Sequence, residues 1–212
     1  ILFPYEDTFD INYLIPNFSH IVKPSRVFIT HGHEDHIADA ENLAKRTGAK
    51  VVSNFEIVQW LGNKGVENTH PMNTGGSWEF DFGTLKCVRA EHSSGLPDGS
   101  YGGNPMGFVI TYEEDGIEKN IYYAGDTALT YDMKLIEEEF DQIDFAFLPV
   151  GDNFTMGIFD ALKAAQFVNA DTVIPMHYDT FGYIVIDRND LKEAFSDFKL
   201  NMFEIGEEKE LK

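Results

Sequence analysis

The chain has 212 residues, with 16 Lys and Arg against 36 Asp and Glu for a formal charge of −20, and 43% hydrophobic content that includes 18 Phe and 9 Tyr. That apolar content is ample for the core of one domain spanning residues 1–212, whereas the negative balance and the lack of any Lys/Arg cluster argue against a nucleic-acid partner. No window approaches the roughly 20 apolar residues of a membrane span, no signal-peptide pattern opens the chain, and the one cysteine, Cys87, excludes an internal disulfide; a cytoplasmic protein is expected.

In chain order, the β-branched and aromatic run at residues 25–30 reads as a strand. Ile37, Ala40, Leu43 and Ala44 then recur at helical spacing, and Gly48 closes a helix over residues 37–46. A short strand at 50–53 and a helix over 55–61 continue a β-α-β-α rhythm. From residue 75 the pattern turns antiparallel. Strands at 77–82 and 85–91 flank a Gly83-Thr84 turn, and strands at 107–112 and 120–124 flank Glu114-Asp115-Gly116. Helices over 132–140, 159–169 and 189–198 alternate with strands at 143–150 and 172–176. Cys87 reads as a small buried strand residue. The Gly/Pro/Ser-rich stretch at 93–106 reads as a lid or binding loop.

The stretch THGHEDH at residues 30–36 places three histidines within six residues, beside a carboxylate. A packed core would have to partner several ring nitrogens at once, whereas neutral imidazole and carboxylate are the usual companions in zinc, manganese and iron sites. His31 and His33 leave a strand end with side chains on one side, which suits one ion. Asp35 and His36 lie near a helix start and face differently, which suits a second. Further candidates stand at strand ends: His92, Asp126 and His177. Taken singly, each is equally explained as a strand-end or turn residue.

In this order, His-x-His-x-Asp-His followed by His92, Asp126 and His177 resembles the metallo-β-lactamase superfamily. More narrowly, the chain resembles the small prokaryotic predicted metal-dependent hydrolases related to ascorbate-6-phosphate lactonase. The narrower resemblance rests on THGHEDH at 30–36, HPM at 70–72, GGS at 75–77, EFDFG at 79–83, HSS at 92–94, AGDT at 124–127, PVGDNFTMG at 149–157 and PMHY at 175–178, and it covers residues 25–212.

The resemblance implies an α/β fold, a four-layer αββα sandwich of two mixed sheets flanked by helices. It implies His31, His33 and His92 on one ion, Asp35, His36 and His177 on another, and Asp126 bridging, with Asp35 and Asp126 as the catalytic carboxylates. Two divalent ions are expected, zinc first, with manganese, iron or cobalt as alternatives. The expected reaction is hydrolysis of a small ester, lactone or phosphoester by a hydroxide held between the ions. Superfamily members with redox iron resemble His-x-Glu-x-Asp at this motif, and His33 at the third position here favours hydrolysis. The alternatives are a phosphodiesterase or nuclease of the same superfamily, a non-hydrolytic metal-binding protein and a redox iron enzyme.

Relatives open with a hairpin carrying Gly-His and Asp-Pro pairs. This chain begins at Ile1 and reads Leu2-Phe3-Pro4, so that hairpin is expected to be missing or diverged, and the relatives' outer-shell His and Asp are not carried over. His20 is expected at the surface. The segment at 151–157 follows a strand and opens a helix, where backbone N–H groups can bind an anionic group. Phe154, Thr155 and Tyr178 are the expected substrate contacts, with His70 assigned to the substrate cleft or to structure. A small-molecule substrate is the expected partner, and the aromatic content allows a homo-oligomer.

Overall fold

The computed structural model describes residues 26–204 together with Glu207; the expected opening hairpin and His20 lie outside the described residues. Three short parallel strands form the smaller sheet in the order β1 (Arg26–Phe28), β2 (Lys50–Asn54), β3 (Thr69–Met72). Helices α1 (Glu34–Ile37), α2 (Ala40–Thr47) and α3 (Phe55–Asn63) accompany it. The Asn54 side chain accepts a hydrogen bond from the Ile57 N–H at 2.9 Å and caps α3, which fixes the strand-to-helix corner.

The larger sheet has seven strands. β4 (Ser77–Phe80), β5 (Gly83–Arg89), β6 (Met106–Glu114) and β7 (Ile117–Tyr123) run antiparallel. β8 (Ile143–Pro149), β9 (Ala170–Met176) and β10 (Lys199–Leu200) continue from β7 in parallel. Helices α4 (Lys134–Phe140), α5 (Ile158–Phe167) and α6 (Arg188–Ala194) cover its outer face. Of the two sheets expected to be mixed, the larger is; the described strands of the smaller are all parallel.

Alternation along the strands explains the layers. On β6, Phe108 faces the smaller sheet beside Val52, Leu85 and Cys87, whereas Val109 joins Ile136, Ala161, Ala164 and Leu191 on the helical side. On β2, Val51 packs with Ile37, Ile57 and Leu61 beneath the first three helices, and Val52 points into the space between the sheets. Each side chain of this size, fully buried, contributes about 1.5–3 kcal/mol. The result is the αββα sandwich. Cys87 is buried as expected, and burial pushes its thiol up to about 12.

Four local differences from the sequence reading have physical causes. The helix expected over 37–46 begins earlier and breaks at Ala38-Asp39, giving α1 and α2. Phe80 pairs with Gly83, so the tight turn is Asp81-Phe82 and not Gly83-Thr84. β3 and β10 escape the pattern because they are short edge strands, one carrying a proline, with little period-two alternation. The 93–106 loop is anchored along its length: Leu96 is buried with the first three helices, and Asn54 Nδ2 donates to the carbonyls of Gly102 at 2.7 Å and Asn104 at 3.2 Å.

Candidate metal centre

The THGHEDH stretch is held extended past β1: the Ile29 N–H donates to Val52 O at 3.0 Å and the Met106 N–H to Thr30 O at 3.1 Å. The next turn is fixed by the Gly32 N–H donating to Ser94 Oγ at 3.0 Å, whose hydroxyl in turn donates to Gly102 O. His31 is thereby fully buried, and α1 turns His36 back toward it, with ring centroids 4.1 Å apart. His92 is placed by contacts one loop away, where the Glu91 N–H donates to Thr127 Oγ1 at 2.9 Å and the Ala128 N–H to Glu91 O at 3.0 Å.

Asp126 follows β7 through Gly125, whose φ of 65° and close approach to the Thr30 side chain, 2.9 Å from an added Cβ, leave no room for another residue. His177 leaves β9 with φ 58°, a left-handed conformation that a non-glycine residue holds only where its surroundings enforce it. Gly151 is part of that enforcement, since a Cβ there would lie 2.2 Å from His177 O and 2.9 Å from Ile184 Cβ. Gly151→Ala is therefore expected to displace His177, to cost about 1–3 kcal/mol by overpacking and to weaken metal binding; denaturant melts and metal titrations check both.

Among the described residues two groups of ligand-type atoms converge, each within 4.8 Å of one another: His31, His33 and His92, and Asp35, His36, Asp126 and His177. All seven metal-site candidates from the sequence are thus brought together. Asp126 joins the groups. Its Oδ2 lies 3.1 Å from His177 Nε2 and 3.4 Å from His36 Nε2 on one side, and 3.7 Å from His92 Nε2 and 3.9 Å from His31 Nε2 on the other. Asp35 Oδ2 lies 3.3 Å from His36 Nε2 and 3.8 Å from His177 Nε2.

These residues fit divalent ions. Buried Asp126 Oδ1 has no hydrogen-bond partner in the described structure, a costly state for a carboxylate oxygen that a cation relieves. His31 Nε2 and His33 Nδ1 approach to 3.0 Å, while their far nitrogens meet hydroxyls, Thr30 Oγ1 at 3.0 Å and Ser93 Oγ at 3.3 Å. Inward nitrogens with held outer nitrogens are the arrangement that orients imidazole toward a metal. Thr30 and Ser93 supply the outer contacts that the sequence reading left unassigned.

The electrostatics divide the groups. Burial, reinforced by neighbouring His36, pushes His31 down to about 2, and burial also lowers His92. At His36 and His177 burial opposes the charge, but hydrogen bonds to Asp126 and Asp35 prevail and push both up to about 9. The same contacts hold Asp35 and Asp126 below the ordinary carboxylate range despite burial.

The second group opens into a cleft of about 630 Å³ whose lining includes Tyr123, Phe147, Ile174, Tyr178, Phe181 and Arg188. Its floor is the face of β7–β9 opposite the helices: Tyr122, Ala146 and Val173 enter the helical core, and Tyr123, Phe147 and Ile174 point the other way. Tyr178, an expected substrate contact, lines the cleft, with the Arg188 guanidinium 5.6 Å from its ring centroid. Phe154 is exposed and packs 5.9 Å from Phe181, and Thr155 lies in the same 151–157 loop, its N–H on Asp152 O. At the start of α5, where an anionic group was expected, the Asp152 carboxyl carbon stands 3.3 Å from a Cβ added at Gly157. His70 packs against Trp78 and Phe80, with ring centroids 4.8 and 5.2 Å away, and does not line the cleft. Tyr123, Phe181 and Arg188 were missed because a strand, a loop and a helix start give no local sign of which face or end lines a cleft.

Comparison with known proteins agrees with this geometry. A family model described as the beta-lactamase superfamily domain matches residues 14–178. A UPF0173 metal-dependent hydrolase of Christiangramia forsetii is 53% identical over 208 residues, covering 97% of this chain and 86% of that protein. One from Methylacidiphilum infernorum is 50% identical over 182 residues, covering 86% and 78%. The solved structure of a metallo hydrolase from the archaeon Ignicoccus hospitalis superposes with a TM-score of 0.77 at 36% identity, covering 90% of this chain and 81% of that one. With its αββα layers and its converging histidines and aspartates, the chain belongs to the beta-lactamase superfamily, as a metal-dependent hydrolase of the UPF0173 group.

Proposed function

We propose that this hydrolase is dinuclear and cleaves a small carboxylic ester or lactone. The observation that carries the reading is Asp126, whose one carboxylate oxygen reaches histidines of both groups. His31, His33 and His92 would hold one ion, Asp35, His36 and His177 the other, and Asp126 both. Divalent ions bound there, zinc first among zinc, manganese, iron and cobalt, supply Lewis acidity and lower the pKa of water toward neutrality.

The cleft favours an uncharged acyl substrate over a phosphoester. Its floor is aromatic and aliphatic, and Arg188, the one Lys or Arg among its described lining residues, is paired with Asp179 at 2.8 Å and Glu204 at 3.1 Å. Carboxylates outnumber it there, since Asp39, Asp179, Glu204 and Glu207 also line the cleft, and that negative surround disfavours a substrate carrying phosphate charge beyond what the metals offset. The chain's own contribution to the reacting carbonyl is Tyr123. Its phenol lines the cleft and makes no hydrogen bond within the described structure, while burial, with Asp126 and Asp35 nearby, pushes it up to about 12. It therefore stays protonated and can donate to oxygen charge as it develops. Tyr123→Phe is expected to lower kcat by about 10²-fold with metal content and KM nearly unchanged, as read by steady-state kinetics beside elemental analysis.

The reading is tested by loading the protein with zinc or manganese, measuring bound metal, and assaying lactone, carboxylester and phosphodiester probes. Two ions per chain with ester or lactone turnover is the expected result. Phosphodiester turnover alone would select the phosphodiesterase alternative, and two bound ions with no turnover would favour a binding protein.

A further inference from the structure

We propose that Phe154, Phe181 and Tyr183 form a lip that binds an aromatic or extended apolar acyl group of the substrate; the inference rests on the hydrolytic reading above and specifies its substrate class. Three rings from two loops pack together, with Phe154–Phe181 centroids 5.9 Å apart, Phe154–Tyr183 6.2 Å and Phe181–Tyr183 6.5 Å. They are nevertheless open to solvent: Phe154 is 48% and Tyr183 74% exposed. Clustered exposed aromatics mark binding surfaces more often than isolated ones do.

The position selects the occupant. Phe181 lines the cleft that also holds Asp35, His36, Asp126 and His177, so the lip is continuous with the metal-binding groups. One loop leaves β8 and the other follows His177 out of β9, and they meet where Gly151 contacts His177 O and Ile184. Asp152, Asn153 and Asp179 hold left-handed φ of 60°, 51° and 58°, so backbone that L residues avoid presents the rings here. Asp179 is itself locked, accepting from the Ile186 N–H at 3.1 Å and from Arg188. A preformed aromatic edge continuous with an apolar cleft floor, whose described charged lining is mostly carboxylate, fits an apolar group joined to the carbonyl that is cleaved.

The test uses the metal-loaded chain and carboxylates as product analogues: acetate, phenylacetate, 3-phenylpropionate and 4-phenylbutyrate, titrated by calorimetry. At least one phenylalkanoate is expected to bind about tenfold or more tighter than acetate, and the preferred chain length reads the span from metal to lip. Phe154→Ala and Tyr183→Ala, both at exposed positions, are expected to remove most of that preference while leaving acetate binding and metal content unchanged. No preference in the parent, or a preference retained by the double variant, overturns the lip. Self-association that the same variants abolish, without any phenylalkanoate preference, also overturns it by assigning the surface to a second copy of the chain. Ester turnover is scored separately: a preference without turnover sinks the hydrolytic reading and keeps the lip, and turnover without a preference does the reverse.

Discussion

Asp126→Asn is expected to lower kcat/KM by more than about 10²-fold and to reduce bound metal below two ions per chain. Loss of an outer contact to a metal ligand alone costs about 10- to 100-fold, and Asp126 is where the two groups meet. Its Oδ2 faces four histidine nitrogens, and its Oδ1 is buried without a hydrogen-bond partner in the described structure. An amide keeps the shape, loses the negative charge and points an NH₂ at groups that must accept a cation. His36 and His177 would lose one of the two carboxylates, with Asp35, that keep them protonated in the metal-free state. The measurement is elemental analysis beside steady-state kinetics. An Asp126→Asn protein that binds two ions and turns over like the parent would sink the bridging role.

The second large effect concerns protons. At neutral pH the metal-free chain has His31 and His92 unprotonated, whereas His36 and His177 keep their protons up to about pH 9. His31 and His92 therefore release little on taking an ion, whereas an ion on Asp35, His36, Asp126 and His177 displaces approaching two protons. Affinity for that second ion is expected to rise up to about 100-fold per pH unit between roughly pH 6.5 and 9 and then level off. Calorimetry in buffers of different ionisation enthalpy resolves the two events; equal proton release at both would overturn the assignment.

The same shifts fix the stability of the metal-free chain. Because His36 and His177 have folded values of about 9, above the ordinary 6.5, their pairing with Asp35 and Asp126 stabilises fully below about pH 6.5 and is lost as pH rises through about 9. The lowered values of Asp35 and Asp126 lie on the acid side, so that contribution is present above the ordinary carboxylate value near 3.8 and is lost as pH falls below it. Metal-free Tm is expected to fall between pH 6.5 and 9, and metal-loaded Tm to resist that fall.

Local chemistry made part of this protein legible in its sequence. His31, His33, Asp35 and His36 lie within six residues, so strand geometry and helix start alone orient them. Asp115-Gly116, with φ of 53° and 78°, closes the β6–β7 hairpin as an Asp-Gly pair should, although pairing extends it to Glu114 and Ile117. His92, Asp126 and His177 were legible only as a pattern shared with a family, because nothing local distinguishes a strand-end ligand from an ordinary turn residue. Tertiary structure alone decided the rest. Gly151 and Gly125 let neighbouring chain pass close enough to seat His177 and Asp126, and β3 forms because β2 supplies its hydrogen bonds. Tyr123, Phe181 and Tyr183 gain their place from strand alternation and loop packing across distant segments. The sequence by itself determined that metal-ligand chemistry is concentrated at residues 31–36, because ligand chemistry belongs to residue type. What surrounds those groups and faces a substrate depends on contacts between residues far apart in the chain, and only the folded sheets bring them together.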